Sequence, residues 1–339
     1  FGIICAGHGR RRAPAGHLQA GCKRRRLEPG AGGNPGATTP TAGSGCPATP
    51  AAGPELRIMI SGGFRAMGTV VEVRTGREGD IEAARGLFER IEQVCSRFRD
   101  DSELSQINSW PGPAVGLSPT MAQVVASAAE ARRRTGGLVD IGVGKTVLDW
   151  GYDRSFVNVK DLDLPPATPD SPTWELNERL LHRSPGIRLD LGGIAKGWAC
   201  DQTVEAGLAR MAGAGGDIRS ADPATVVEII DPWSRPAVTI NLGVGALATS
   251  SVTRRRWQVG GRPAHHLIDP RTLQPSSSPV VSASAVASTA VEAEAAAKAV
   301  LLLGADGLVW ADDQDWIRSA VAVWNDGGVY ATTELEVAG

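Results

Sequence analysis

No run of about 20 apolar residues, the length a membrane-crossing helix needs, occurs in the 339 residues of the chain. No apolar segment precedes a signal cleavage site and no lipobox is readable. Stable membrane insertion is therefore not expected, and a cytoplasmic protein is. An excess of one charge is also missing. Lys and Arg total 35 against 37 Asp and Glu, a net charge of −2, so nothing pulls the whole molecule toward nucleic acid. Cysteine is sparse, and none of the five stands at metal-ligand spacing. Cys5, Cys22 and Cys46 lie near the N-terminus, with only Cys95 and Cys200 further on. Reduced thiols, not a disulfide framework, are the expectation. No internal repeat is found. No Gly-x-Gly-x-x-Gly follows a first strand, which argues against a Rossmann oxidoreductase.

What is present divides into two parts. Residues 1–57 are rich in Gly, Ala and Pro and carry Arg10 to Arg12 and Lys23 to Arg26 with few acids. Almost no branched or aromatic side chain follows Ile4, so this stretch cannot bury enough surface to fold and is expected to be a disordered basic tail. A nucleic-acid-binding arm is the sharper reading; a solvated tail accounts for the composition as well. The chain begins with Phe, and Met59 or a nearby codon is expected as the true start. Residues 58–339, in a chain that is 42% hydrophobic, are expected to form one domain.

The order of patterns along that domain predicts an α+β fold with a mixed or antiparallel sheet and packed helices. Thr69 to Arg74 alternates as a strand, and Ile81 to Phe98 has helical spacing. Ser102 to Asn108 reads as a short helix or turn. Ser118 and Pro119 open a further helix that stops at Gly136-Gly137. Leu138 to Gly144 reads as a loop or short strand, and residues 157–180 as irregular. Ile187 to Leu191 reads as a short strand, followed by a helix from Ile194 to about Met211. Strands over 226–230, 237–242 and 246–249 are expected to form a meander. A strand over 280–287, a helix over 289–303 ending at Gly304, and a hairpin across Asn325 to Gly328 complete the pattern.

The stretch Asp190-Leu-Gly-Gly-Ile-Ala-Lys-Gly carries the most chemistry. A carboxylate at a strand end, two glycines, a helix start and a lysine make a corner suited to phosphate. Plainer readings are a helix-start acid at Asp190, a turn glycine at Gly193 and a solvated lysine at Lys196. Asp140 sits in an apolar run and needs a partner. Histidine is scarce, at five residues; His266 stands four residues before Pro270 and suits general base work, because an imidazole titrates near pH ~6.5. Its plain alternative is to orient Asp269 or the turn. Asp269 is the competing base or a turn cap. Glu294 and Lys298 form an i,i+4 pair on one helix face.

These segments, in this order, resemble the FAD:protein FMN transferase (ApbE) family. They are Met67-Gly-Thr, Ser96-Arg-Phe with Ser102 to Asn108, Gly137 to Gly144, Leu148-Asp-Trp-Gly, and Asp190 to Gly197 with Asp201. Gly215 to Arg219, Ala248-Thr-Ser, His265 to Pro270 and Ala293 to Gly304 follow. The resemblance spans about residues 64–335. It implies a single α+β unit that takes FAD in a cleft and moves its FMN half onto a Thr or Ser hydroxyl of an acceptor flavoprotein, releasing AMP. Hydrolysis of FAD to FMN and AMP, or flavin carriage without catalysis, are the alternatives. The resemblance further implies FAD contacts at Met67, Phe98, Leu138, Val139, Asp140, Asp190, Lys196 and Ile268, with His266 or Asp269 as base. It also implies Mg²⁺ held by the backbone oxygen of Gly193 and by residues 294 and 298, where the family usually has Asp and Thr. Glu294 keeps hard oxygen donors, but the Lys298 ammonium has no lone pair to give. Either Mg²⁺ binds without residue 298, or the pair is an ordinary helix pair, or the ammonium takes the metal's place. Phe98 stands where a Tyr is frequent, so stacking remains and a hydroxyl is lost. Ser251 and Leu273 replace usual glycines.

Overall fold

A computed structural model describes residues 4–5, 25–26, 59–152 and 173–338. The rest of the expected tail, and residues 157–172 of the expected irregular stretch, lie outside the described residues. The fold is built on a nine-stranded sheet: β1 (Arg25–Arg26), β2 (Ile60–Ala66), β3 (Thr69–Thr75), β4 (Met211–Ala214), β5 (Asp217–Ser220), β6 (Gly245–Ser251), β7 (Val280–Ala287), β8 (Ile317–Trp324) and β9 (Val329–Ala331). Their spatial order is β1-β9-β8-β7-β6-β5-β4-β3-β2. Every pairing in it is antiparallel. From β2 to β9 the sheet is a meander in chain order, interrupted by long insertions. The longest, between β3 and β4, carries α1 (Gly79–Cys95), α2 (Glu103–Ser109), α3 (Pro119–Arg134), α4 (Gly144–Asp149) and α5 (Ala195–Glu205). Between β7 and β8 lie α6 (Ala290–Leu303) and α7 (Gly307–Asp312). The α+β expectation is borne out, with an antiparallel sheet.

Helix α6 is the hub of the packing. It is apolar on nearly every side, with Ala290, Ala293, Ala295, Ala296, Ala297, Ala299, Val300 and Leu301 at 1% exposure or less. A helix that is apolar all round must be covered all round; here β6 and β7 lie on one side and α3, α5 and α7 on others. Its small side chains admit close neighbours. Gly197 of α5 is one: a Cβ there would lie 3.0 Å from the backbone carbon of Ala290. The α6 N-terminus is closed twice. Thr289 Oγ1 accepts from the Glu292 N–H at 3.2 Å, and the Glu292 carboxylate accepts from the Thr289 N–H at 3.1 Å. Asp201, from α5, accepts from the N–H groups of Ala290 and Val291 at 2.8 and 3.1 Å. The four first N–H groups of a helix lack internal partners, so this arrangement ties α5 to α6 through backbone donors.

Several expectations need correction. The helix expected to reach Met211 ends at Glu205. Gly207 adopts φ +70° and donates to Val204 O, while Leu208 donates to Thr203 O, a left-handed stop. Met211 then belongs to β4. The strand expected over 187–191 is not one. A single parallel bridge joins Arg188 to Val143, and the Asn108 side-chain amide replaces a neighbouring strand: it donates to Leu189 O at 3.0 Å and accepts from Leu189 N at 2.7 Å. The expected meander over 226–249 splits. Val226–Ile230 pairs with Pro236–Asn241 on one side and Ile4–Cys5 on the other in a small separate sheet, and only β6 joins the main one. Part of the irregular stretch forms strands Trp174–Asn177 and Leu180–Arg183, paired with Ala114–Gly116. Helix α4 begins at Gly144, where the expected loop or short strand over 138–144 ends. Among the described residues no helix is long and apolar enough to cross a membrane.

Because the capping box satisfies two α6 donors, Thr289→Ala should lower stability by about 1 kcal/mol. A urea-denaturation midpoint that does not move would contradict this.

Candidate functional site: a cleft over a buried charge quartet

A cleft of about 560 Å³ opens between the sheet, α5 and α6. Its floor holds four charged side chains from three elements, two buried carboxylates and two half-buried lysines. Lys196 Nζ of α5 donates to the Asp217 carboxylate of β5 at 2.7 Å. On α6, Lys298 Nζ lies 3.2 Å from Glu294 Oε1 and donates to the Gly193 carbonyl at 2.9 Å. Asp217 and Glu294 also face each other. Asp217 is 1% and Glu294 5% exposed. Ions at this depth persist only when paired and hydrogen-bonded. Gly193 makes the pairing possible, since a Cβ there would lie 1.5 Å from Lys298 Nζ.

The protonation states follow from this mutual shielding. Burial pushes the Asp217 carboxyl up, and the neighbouring Glu294 charge adds to it, to about 7. Burial works against the Glu294 charge too, but Lys298 and Lys196 outweigh it and hold Glu294 below the usual carboxylate range. Burial likewise opposes the Lys196 charge, yet Asp217 and Glu294 raise it above an ordinary lysine.

The cleft wall is built from the loops before α4 and α5. Asp190 Oδ1 accepts from the Gly192 N–H at 2.7 Å, and its other oxygen meets Arg97 Nε at 3.0 Å. The Arg97 guanidinium donates to Tyr152 O at 2.8 Å and lies over two rings, 4.1 Å from the Phe98 centroid and 4.5 Å from that of Tyr152. Phe98 is 46% exposed at this rim. His266 lines the cleft, edge-on to Tyr152. Its Nδ1 is buried with no hydrogen-bond partner among the described residues. Burial first, then the Arg255 cation, press His266 well below the usual imidazole range.

Phe98, Leu138, Val139, Asp140, Asp190, Gly193, Lys196, His266, Ile268, Glu294 and Lys298 therefore lie together on one cleft. Two residues singled out in the sequence do not line it. Met67 occupies the β2–β3 turn with φ +51°, and its N–H donates to Glu92. Asp269 is taken by Arg271, whose Nη2 lies 2.7 Å away. That ion pair outweighs the cost of burial and holds Asp269 below the usual carboxylate range. His265, next to His266, is turned to the Ser276 carbonyl at 2.9 Å. Asp140 lines the cleft but is already committed: it accepts from the Trp174 indole N–H at 2.7 Å and the Gly142 N–H at 2.7 Å, and meets Arg132 at 2.9 Å. These contacts hold the 138–144 loop. Sequence reasoning passed over Arg97, Tyr152, Asp217 and Arg255. Asp217 had a signal, an acid between a Gly-Gly turn and a strand of Ile and Ser.

Solved ApbE proteins share this fold. The Thermotoga maritima ApbE protein superposes with a TM-score of 0.72 at 24% identity, covering 81% of this chain and 97% of its own. The Vibrio cholerae flavin transferase ApbE gives 0.67 at 24%, covering 82% and 98%. The ApbE family model matches residues 67–320, and the chain belongs to that family. Among curated relatives, the FAD:protein FMN transferase of Rhodobacter capsulatus is 28% identical over 81% of this chain, which spans 57% of the relative. The one from Salmonella typhimurium is 25% identical over 76% of this chain and 81% of its own length.

Removing Asp140 strands the buried Trp174 N–H and frees the loop. Asp140→Ala should therefore cost roughly 2–3 kcal/mol of stability, seen as a lower unfolding midpoint without ligand. A change confined to ligand affinity would instead make Asp140 a direct contact.

Proposed function

We propose that the chain transfers the FMN moiety of FAD onto a Thr or Ser hydroxyl of an acceptor flavoprotein and releases AMP. The observation that carries this reading is the pair of half-buried lysines on the cleft floor, flanked at the rim by exposed Phe98 and stacked Arg97. A dinucleotide offers a diphosphate to the first and an aromatic ring to the second. Family membership and the names of the relatives support the same reading.

In this scheme FAD lies along the cleft. Phe98, Leu138, Val139 and Ile268 contact its apolar parts, with Met67 reached at the edge. Lys196 meets the diphosphate, and Asp190 fixes Arg97 at the rim. The acceptor hydroxyl oxygen forms a bond to the FMN phosphorus while the bond from that phosphorus to the bridging oxygen breaks. AMP leaves with the bonding electron pair. The hydroxyl proton passes to the neutral imidazole of His266, favoured over Asp269 because Asp269 is bound to Arg271 and lies off the cleft. Catalysis at a diphosphate is mostly positioning and charge stabilisation. A base with a lowered pKa is also weak, so His266 contributes near the lower end of the ~10²–10⁴-fold range for general bases.

The donor set at Gly193, Glu294 and residue 298 does not fit Mg²⁺. The Lys298 ammonium already holds the Gly193 oxygen and faces the Glu294 carboxylate. No step in this scheme passes through a metal.

The test is to incubate the protein with FAD and a flavoprotein domain carrying a Thr acceptor. In-gel flavin fluorescence on the acceptor with matching AMP is the expected outcome. AMP without labelling would mean hydrolysis, and bound FAD with neither product would mean a carrier. His266→Ala should lower turnover about 100-fold while FAD still binds. Since His266 is neutral through its usual range, turnover should not fall as pH drops through about 6.5. An acid limb centred there in the pH–rate profile would remove His266 from the role of base.

A further inference from the structure

We infer that Lys298 is a resident cation: its ammonium fills the position of a divalent ion, so this chain neutralises its ligand's diphosphate with two lysines and excludes Mg²⁺ from that position. The inference rests on the proposed reaction for the identity of the ligand, but the exclusion itself rests on geometry. A carbonyl oxygen and a carboxylate, the hard donors a small divalent cation prefers, converge from two elements. Lys298 Nζ sits between them, 2.9 Å from Gly193 O and 3.2 Å from Glu294 Oε1. The Lys298 side chain is only 15% exposed, so it is not a solvated lysine that swings aside without loss. Gly193 has no side chain where the ammonium lies, and any Cβ would collide with it.

A second cation is disfavoured three times over. Both oxygen donors are occupied. The ammonium repels a divalent ion at contact distance, and little water screens it there. Lys196 adds a further positive charge that acts on Glu294. The acids cannot compensate, since Asp217 is bound to Lys196. Among the described residues no group of three or more His, Cys, Asp or Glu could hold a metal. A metal in addition would bring two further positive charges up against the two ammonium groups already in place.

The experiment compares the full chain with Lys298→Thr, which removes the ammonium and supplies a hydroxyl, and with Lys298→Met, which removes the ammonium and supplies nothing. Mn²⁺ serves as the probe ion, read by electron paramagnetic resonance with and without FAD. Flavin fluorescence quenching reads FAD binding, and AMP release reads turnover in EDTA or in millimolar Mg²⁺. The unaltered chain should bind no stoichiometric Mn²⁺ and should release AMP equally in EDTA and Mg²⁺. Lys298→Thr should acquire a Mn²⁺ site, lose turnover in EDTA by about 100-fold, and recover with Mg²⁺. Lys298→Met should lose turnover in both conditions and bind no ion. Stoichiometric Mn²⁺ on the unaltered chain, or turnover that collapses in EDTA and returns with Mg²⁺, overturns the inference. Absence of AMP in every sample would fail the proposed reaction while the Mn²⁺ spectra still decide the question. If the Thr variant does not fold, the unaltered chain's own spectrum and EDTA response decide it alone.

Discussion

The structure is organised around a single constraint: two buried carboxylates must be paired by two half-buried lysines where α5, α6 and β5 meet. Any one of them left alone would be a desolvated ion costing several kcal/mol. That requirement fixes the relative placement of the three elements more tightly than apolar packing alone. Lys196 can reach Asp217 only if α5 crosses β5 at its start, and Lys298 can reach Gly193 O only if α6 lies against the loop before α5. The apolar contacts then supply the free energy, with alanines of α6 letting helix and sheet approach closely.

A second set of contacts serves the first. Asp201 closes the N-terminus of α6 from α5, and Gly197 lets the two helices touch at Ala290. Glu294 and Lys298 lie one and two turns beyond that closed end, so the cap sets their height above the cleft floor. On the opposite wall Asn108 performs the work of a missing strand at Leu189, which aims Asp190 at Arg97. The motifs scattered along the chain thus divide into residues that face the cleft and residues that hold those in place. Asp201 belongs to the second kind, while Asp140 lines the cleft and also holds its loop.

The sequence revealed elements that carry a period and an end signal: Ser118-Pro119 at the start of α3, Gly304 at the end of α6, the alternation of β3. It did not reveal what depends on long-range partners. An apolar run at 187–191 has the composition of a strand, yet whether another backbone or an Asn side chain satisfies its polar groups is decided 81 residues away. Gly207 was misread because a glycine within an apolar-rich stretch does not announce a left-handed φ. At the site, the corner at 190–197 was legible through its glycines and lysine. Asp217 and Arg97 were not, because their importance lies in the partner each meets rather than in a local pattern. Lys298 was legible as a departure from a family pattern, and the i,i+4 spacing fixed its proximity to Glu294. Its hold on Gly193 O, across 105 positions, needed the fold.

A tethered ammonium and an exchangeable metal ion impose different demands on a protein. A metal site needs donors that can wait empty, and its occupancy follows the free ion concentration. A lysine is present at every ion concentration, but its charge is single and its position is only as good as the helix that carries it. Two features here answer those weaknesses. Lys196 adds a second ammonium to the floor of the same cleft, held in place by Asp217. The doubly capped, largely covered α6 supplies the rigidity that a coordination shell would otherwise provide. The balance between the lysines and their acids also keeps either cation from being buried alone before a diphosphate arrives. The carboxylates are then the necessary counterpart of using side chains as the cation, rather than the remains of a metal site.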